Sequence, residues 1–461
     1  MNLIKHCIAI GLMCLATPAL AAVQEFKLAN GLRVLVKADH RAPVVVSQLW
    51  YRAGSMDEYN GTTGVAHVLE HLMFKGTQEV PGGQFSKLIA AAGGRENAFT
   101  SRDHTAYFQQ LQKDRLELAF RLEADRMRNL NLTAADFAKE IQVVMEERRL
   151  RTDDKPQALV YEQLMAVAYR ESPYRHPVIG WMNDLQNMTV DDARDWYQRW
   201  YAPNNATLVV VGDIQADAVK QLAERYFGPI AAKPLAQRKP QPEPPQTGSK
   251  RVTVKAPAKL PYLIMAYHAP VLHDVNKDWE PYALQVLAAV LDGGDAARLT
   301  RNLIRAQRVA SETSAGYDMV ARGPGMFLLD GTPSDGKAVG DLEAALRGQI
   351  ALIQRDGVSA EELQRVKAQV VAADVYQRDS TFYQAMQLGQ YATAGLPVTE
   401  LDRRVKKLQA VTPAQVREVA RKYLVDDALT VATLDPQPFD SQPPPRPEAA
   451  GMRHANGEVL R

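Results

Sequence analysis

Residues 233–249 read KPLAQRKPQPEPPQTGS and hold five prolines. Proline fixes φ and has no N–H to donate, so neither a helix interior nor a central strand can run through such a stretch. The chain must therefore fold on either side of it. Residues 233–250 read as a semi-rigid, partly polyproline linker between an N-terminal domain at 23–232 and a C-terminal domain at 251–435. The length of 461 residues agrees, since one domain usually takes about 150.

The two halves repeat one order of elements. Each opens on strand-like text, at Val44–Tyr51 and at Tyr262–Tyr267. Each continues into helical periodicity, at Val65–Phe74 and at Trp279–Leu291. A strand at Ala206–Val211 followed by a helix at Ala216–Phe227 closes the first half, and a helix at Pro413–Tyr423 followed by a strand at Leu429–Thr433 closes the second. Such self-similarity predicts a tandem duplication. The mixture of strands and helices predicts α+β domains, each a mainly antiparallel sheet packed with helices. Gly93-Gly94 marks a turn, and Asn97–Phe108 alternates as a strand or short hairpin. Thr133 with Asp136 predicts a capped helix start, and Thr412-Pro413 predicts another. Residues 436–461, rich in proline and poor in apolar side chains, are expected to be disordered.

Lys plus Arg number 55 against 53 Asp plus Glu, a net charge of only +2. That balance gives no basic field for nucleic acid. Cys7 and Cys14 are the two cysteines, too few for a disulfide framework or a cysteine-based zinc cluster. Both lie in residues 1–22, where Lys5, the apolar run Cys7–Ala16, Pro18 and Ala19-Leu20-Ala21 have the order of a cleaved signal peptide. Met13 before Cys14 argues against lipidation. Periplasmic export is expected, with no integral membrane span left after cleavage.

Any metal site must then use histidines and carboxylates. Gly64–Phe74 contains His67, Glu70 and His71 in the order His-x-x-Glu-His of the inverted zincins. Imidazoles four residues apart share one helix face and can reach one ion, and neutral imidazoles suit zinc. Zinc lowers the pKa of its water to about 7, and Glu70 could take that proton and deliver it to a leaving amine. A catalytic zinc needs a third protein ligand. Glu140 and Glu147 are seven apart, so they share a helix face to within about 20°. Val143 and Val144 beside them point that face inward, where a carboxylate needs a cation or donor. Glu146, about 100° further round, is expected in solvent.

With these residues in view the chain resembles the insulinase-like zinc peptidases, the family of pitrilysin and the mitochondrial processing peptidase, in its short two-domain bacterial form. The resemblance rests on Gly64–Thr77 (GVAHVLEHLMFKGT), Asn97–Asp103 (NAFTSRD), Glu140–Glu147 and Gly293–Leu299 (GGDAARL), and extends over nearly the whole chain after residue 22. It implies a duplicated α+β fold whose halves face each other across a chamber. It implies one Zn2+ per chain on His67, His71 and Glu147, with Glu70 as general base and Glu140 orienting the ligands from behind. It also implies that a peptide substrate adds as a strand along Asn97, Ala98, Phe99 and Thr100.

The family's pattern further calls for an Arg and, seven residues on, a Tyr from the second half, which clamp the substrate over the zinc. Arg305 holds the first position, but Glu312 stands at the second, and Tyr317 comes later. The resemblance thus implies a paralogous subunit supplying an Arg/Tyr pair in a heterodimer, or a homodimer. The expected function is a zinc metalloendopeptidase acting on peptides or unfolded polypeptides. The alternative is a non-catalytic, chamber-forming, peptide-binding subunit of a heteromeric peptidase.

Overall fold

A computed structural model describes residues 22–235 and 237–439 of the chain. The leader read at 1–22 and the tail read at 436–461 lie outside these residues, apart from Ala22 and residues 436–439.

Among the described residues the strands form two sheets. The first holds β1 (Gln24–Lys27), β2 (Arg33–Ala38), β3 (Val44–Tyr51), β4 (Arg95–Thr100), β5 (Thr105–Gln112) and β6 (Ala206–Gly212), in the order β1-β2-β6-β3-β5-β4. The second holds β7 (Lys250–Pro257), β8 (Tyr262–Ala269), β9 (Ala310–Tyr317), β10 (Gly325–Pro333) and β11 (Leu429–Gln437), in the order β7-β11-β8-β10-β9. Without β1 the two orders coincide strand for strand. In each, one pair is parallel, β2 with β6 and β7 with β11, and the others are antiparallel. The domains are therefore duplicated α+β units. Pro436 and Gln437, placed in the tail by composition, continue β11 by pairing with Ala256 and Pro257. Residue 250, read as linker, is the first residue of β7.

The halves pack directly against each other. Each lends a helix to the other's sheet. The second-half helix Thr381–Ala394 lies on β3 and β6, and the first-half helix Pro156–Ala168 lies on β7, β8 and β11. One core therefore runs from Val46, Trp50, Val209 and Val211 of the first sheet to Ala385, Leu388 and Tyr391 of the lent helix. A second joins Val160, Leu164 and Met165 to Ile264, Ala266 and Ala432. Each large apolar side chain buried this way contributes about 1.5–3 kcal/mol, so the junction is held like a domain interior.

The linker is fastened as well. Glu243 accepts the N–H groups of Arg170, Glu171 and Ser172 at 2.7, 2.9 and 2.8 Å. Arg238 pairs with Asp57 and stacks 4.2 Å over the Trp200 ring.

Gly389 shows how close the lent helix comes. A Cβ there would sit 1.9 Å from the Trp50 indole. Alanine in place of a helical glycine normally gains about 1 kcal/mol. Overpacking costs about 1–3 kcal/mol and more against a rigid wall. Trp50 is fully buried, so overpacking wins. Gly389→Ala should lower the thermal midpoint, whereas the same change at the open Gly348 should not, as paired melting curves would show.

Candidate metal centre

The helix Val65–Leu72 begins at Gly64, which is left-handed at φ 90°. A Cβ on Gly64 would meet the Ile179 carbonyl at 2.6 Å, so only glycine makes this turn. Glu58 replaces the missing cap, accepting the N–H groups of Gly64 and Ala66 at 2.8 and 2.9 Å. Its carboxyl is pushed up to about 8, by burial first, with those two bonds opposing. Val65, Ala66, Val68, Leu69 and Leu72 are buried, which fixes the rotation of the helix and turns His67, Glu70 and His71 toward the helix Ala134–Arg148. That second helix starts at Thr133, whose hydroxyl oxygen accepts the Asp136 N–H at 3.0 Å; the hydroxyl itself donates to the Asp136 carboxylate at 2.6 Å.

The two helices bring His67, His71 and Glu147 together, one ligand atom of each lying within 4.8 Å of the others. Nε2 of His67 is 3.8 Å, and Nε2 of His71 3.3 Å, from the same Glu147 Oε2. Nδ1 of His71 meets Glu140 Oε2 at 3.3 Å, and Lys75 holds the other Glu140 oxygen at 2.6 Å. Arg151 pairs with the second oxygen of Glu147 at 2.5 Å. Glu146 faces outward on Arg149 at 3.0 Å.

These residues fit a zinc ion. Two imidazoles present Nε2 to one carboxylate oxygen, and a carboxylate behind His71 sets its tautomer, as in metal-ligating histidines generally. His67 has no such support: among the described residues its buried Nδ1 is without a partner. The electrostatics divide accordingly. Burial, aided by His71, pulls the His67 imidazole down. Burial also opposes charge on His71, but bonds to Glu140 and Glu147 outweigh it and raise that imidazole. Glu147 moves below the usual carboxylate range because contacts with His71, His67 and Arg151 outweigh burial.

Glu70 stands beside the group. Burial raises its carboxyl, eased by a bond from the Thr100 hydroxyl to Glu70 Oε2 at 2.5 Å. Thr100 ends β4, the free edge of the first sheet, with Asn97, Ala98 and Phe99 along the same strand. Phe99 packs edge-on to Trp50, at a 5.2 Å centroid distance, and Asn97 Oδ1 accepts the Ala98 N–H at 2.9 Å. Thr100, read from the sequence as a substrate contact, thus also touches the intended base. The sequence reading missed Lys75 and Arg151. Each lies four residues after a ligand, His71 and Glu147, and that helical spacing was the available signal.

The second-half residues are placed differently. Arg305 is mostly exposed and pairs with exposed Asp295 at 3.3 Å. Tyr317 ends β9, is buried, stacks on Phe327, and donates its hydroxyl to the Pro270 carbonyl. A phenol so committed is no free donor. Glu312 lies exposed on β9.

Two family models match the chain. Insulinase (Peptidase family M16) covers residues 33–180, and Peptidase M16 inactive domain covers 187–370. The zinc protease PqqE of Helicobacter pylori is 30% identical over 421 residues, spanning 90% of this chain and 93% of that protein. This chain belongs to the insulinase family, peptidase M16. The crystal structure of a protease from Helicobacter pylori matches with a TM-score of 0.86 at 28% identity, over 90% of this chain and all of that one. A peptidase M16 inactive domain from Pseudomonas fluorescens shares the fold, with a TM-score of 0.81 at 20% identity over 91% of this chain and 100% of its own. The family match covering the metal group and the inactive-domain match divide the chain between them. Among the described residues, no helix is long and apolar enough to cross a membrane.

Glu140→Gln removes a charge that supports the His71 proton. In metal-free protein the His71 titration should therefore move to lower pH, with His67 little changed, as imidazole NMR would show.

Proposed function

We propose that this M16 chain is a zinc-dependent endopeptidase acting on peptides or unfolded polypeptides, exported to the periplasm by the leader at residues 1–22. The observation that carries the reading is Glu70, set beside His67, His71 and Glu147 and bonded to Thr100 at the end of an edge strand. A subunit that only bound peptides would have no use for a desolvated carboxylate beside two imidazoles.

His67, His71 and Glu147 would hold one zinc, whose chemistry when bound is that of a Lewis acid that lowers the pKa of water and polarises a carbonyl. Glu70 acts as general base at its carboxylate oxygen and returns the proton to the leaving amine nitrogen. Its raised pKa suits both halves of that exchange. Main-chain bonds to β4 hold the peptide extended past Glu70, which favours breadth of sequence over selectivity. Glu140, with Lys75 behind it, keeps the His71 ring in place.

His71→Ala removes one of three ligands and should empty the site, as elemental analysis would show. Glu70→Gln should keep zinc while lowering peptide hydrolysis by roughly 10²–10⁴. Zinc near one per chain in His71→Ala would overturn the ligand set, and unaltered hydrolysis in Glu70→Gln would overturn the base.

The oxyanion clamp comes from a second chain in this reading. Exposed Arg305 and committed Tyr317 support it. One preorganised donor contributes about 10²–10³ in rate. The purified chain alone should therefore bind zinc yet turn peptides over slowly, and a paralogous subunit with an Arg/Tyr pair should restore the rate at constant zinc. Full turnover by a homodimer would remove the need for that partner, and its loss in Tyr317→Phe would make Tyr317 the missing donor.

A further inference from the structure

The turn between β4 and β5 carries Arg102, two residues beyond the Thr100 that touches Glu70. The turn is rigid. Ser101 and Arg102 carbonyls accept from Ser55 and Met56 at 3.1 and 3.0 Å, and the Ser101 hydroxyl oxygen accepts the N–H groups of Asp103 and His104 at 3.1 and 3.2 Å. The Arg102 guanidinium is fixed too, with Cζ 5.8 Å from the ring centroids of both Tyr161 and Tyr174.

What Arg102 lacks is a counter-charge. Nε donates to the Tyr174 carbonyl and Nη2 to the Tyr161 hydroxyl, each at 3.3 Å, and both acceptors are neutral. Among the described residues Nη1 has no acceptor, and it is not sealed from solvent. The adjacent Asp103 is taken, bonded to the Tyr174 hydroxyl and to Arg322 N–H at 3.0 Å. Asp57 is taken by Arg322 and Arg238. A half-buried guanidinium without a carboxylate, one nitrogen of which reaches solvent, is open to pairing with an outside anion. Two chain segments lead to it from the metal group. One is β4. The other is the turn Arg149–Asp153, whose Arg151 holds Glu147 and which leads into the helix bearing Tyr161.

Resting on the peptidase reading above, we propose that Arg102 is a substrate subsite that takes a peptide carboxylate a few residues from the scissile bond. Two residues of extended chain span about 7 Å, so a peptide paired along β4 reaches the guanidinium within roughly two to four residues of Glu70. The carboxylate belongs either to an acidic side chain or to the C-terminus of a short peptide. Both offer the same planar pair of oxygens to the guanidinium.

The experiment uses the full chain and pairs of unstructured peptides. One set differs by Glu against Gln at successive positions, and the other by free-acid against amide termini. A charge-assisted bond should favour the carboxylate member by roughly 10- to 100-fold in kcat/KM at one position. The set in which the preference occurs identifies the source of the carboxylate. In Arg102→Gln the ratio should collapse toward one, and Arg102→Lys should retain part of it, with zinc content and melting temperature checked for both. A purely structural role would lower both members of a pair and leave their ratio intact. The same pairs are also titrated by fluorescence anisotropy into the Glu70→Gln variant. If the chain binds with the preference but does not hydrolyse, the subsite stands and the peptidase reading falls. No preference in either measurement, or a ratio unchanged in Arg102→Gln, overturns the subsite.

Discussion

Charge taken out of water has to be balanced, and the helix Val65–Leu72 takes three ionisable side chains out of water within two turns. Its apolar positions are buried completely, so His67, Glu70 and His71 cannot rotate away to solvent. An unbalanced buried charge is worth several kcal/mol, comparable to the whole stability of a domain. The surroundings follow from that need. Glu140 and Glu147 must come from a helix packed against the first, Lys75 must neutralise Glu140, and Thr100 must donate to Glu70. The seven-residue spacing of the two glutamates and the edge position of β4 are geometric conditions of this balance.

The second domain repeats the sheet without the charge. Its helix Glu280–Asp292 lies between β8 and β9, the position that Val65–Leu72 occupies between β3 and β4. There the buried residues are Tyr282, Leu284, Val286, Leu287, Val290 and Leu291, with no histidine in the helix. Freed from carrying a site, this copy packs as an ordinary interior. Its sheet receives the helix Pro156–Ala168, which follows directly from the Glu147-bearing helix and its π-helical turn. The second half thus anchors the chain segment that positions the third candidate ligand.

Much of this was legible in the residues. The His-x-x-Glu-His spacing, the Glu140–Glu147 pair, the hairpin text Asn97–Phe108 and the repeated element order are local or periodic signals, and such signals survive in one dimension. The unreadable parts are contacts between distant segments. Nothing around Gly64 indicates that Glu58 caps the next helix, or that Gly389 exists to admit Trp50. Proline content marked residues 233–250 as a spacer. It could not show that Glu243 and Arg238 tie that strap to the first domain. The surroundings of Tyr317 were unreadable for the same reason. Its distance in sequence from Arg305 carries no information about the Pro270 carbonyl that claims its hydroxyl.

The balance at Glu70 also bears on how the site can work. The two largest effects oppose each other there: burial, which favours the neutral acid, and the Thr100 bond, which favours the carboxylate. A hydrogen bond to a charged group contributes about 1.5–3 kcal/mol, and burial outweighs it here, so the acid form gains and the pKa rises. In the proposed peptidase reading, a base that must accept a proton and then release it to an amine is helped by such a raised affinity. Thr100 therefore acts as a brake on burial, and it does so from the last residue of the strand along which a peptide would lie. A peptide that covers this edge removes further water from Glu70 and strengthens the opposing effect. In the proposed peptidase reading, peptide binding and the protonation of Glu70 are therefore coupled, because the base stands at the end of the sheet edge that the peptide would cover.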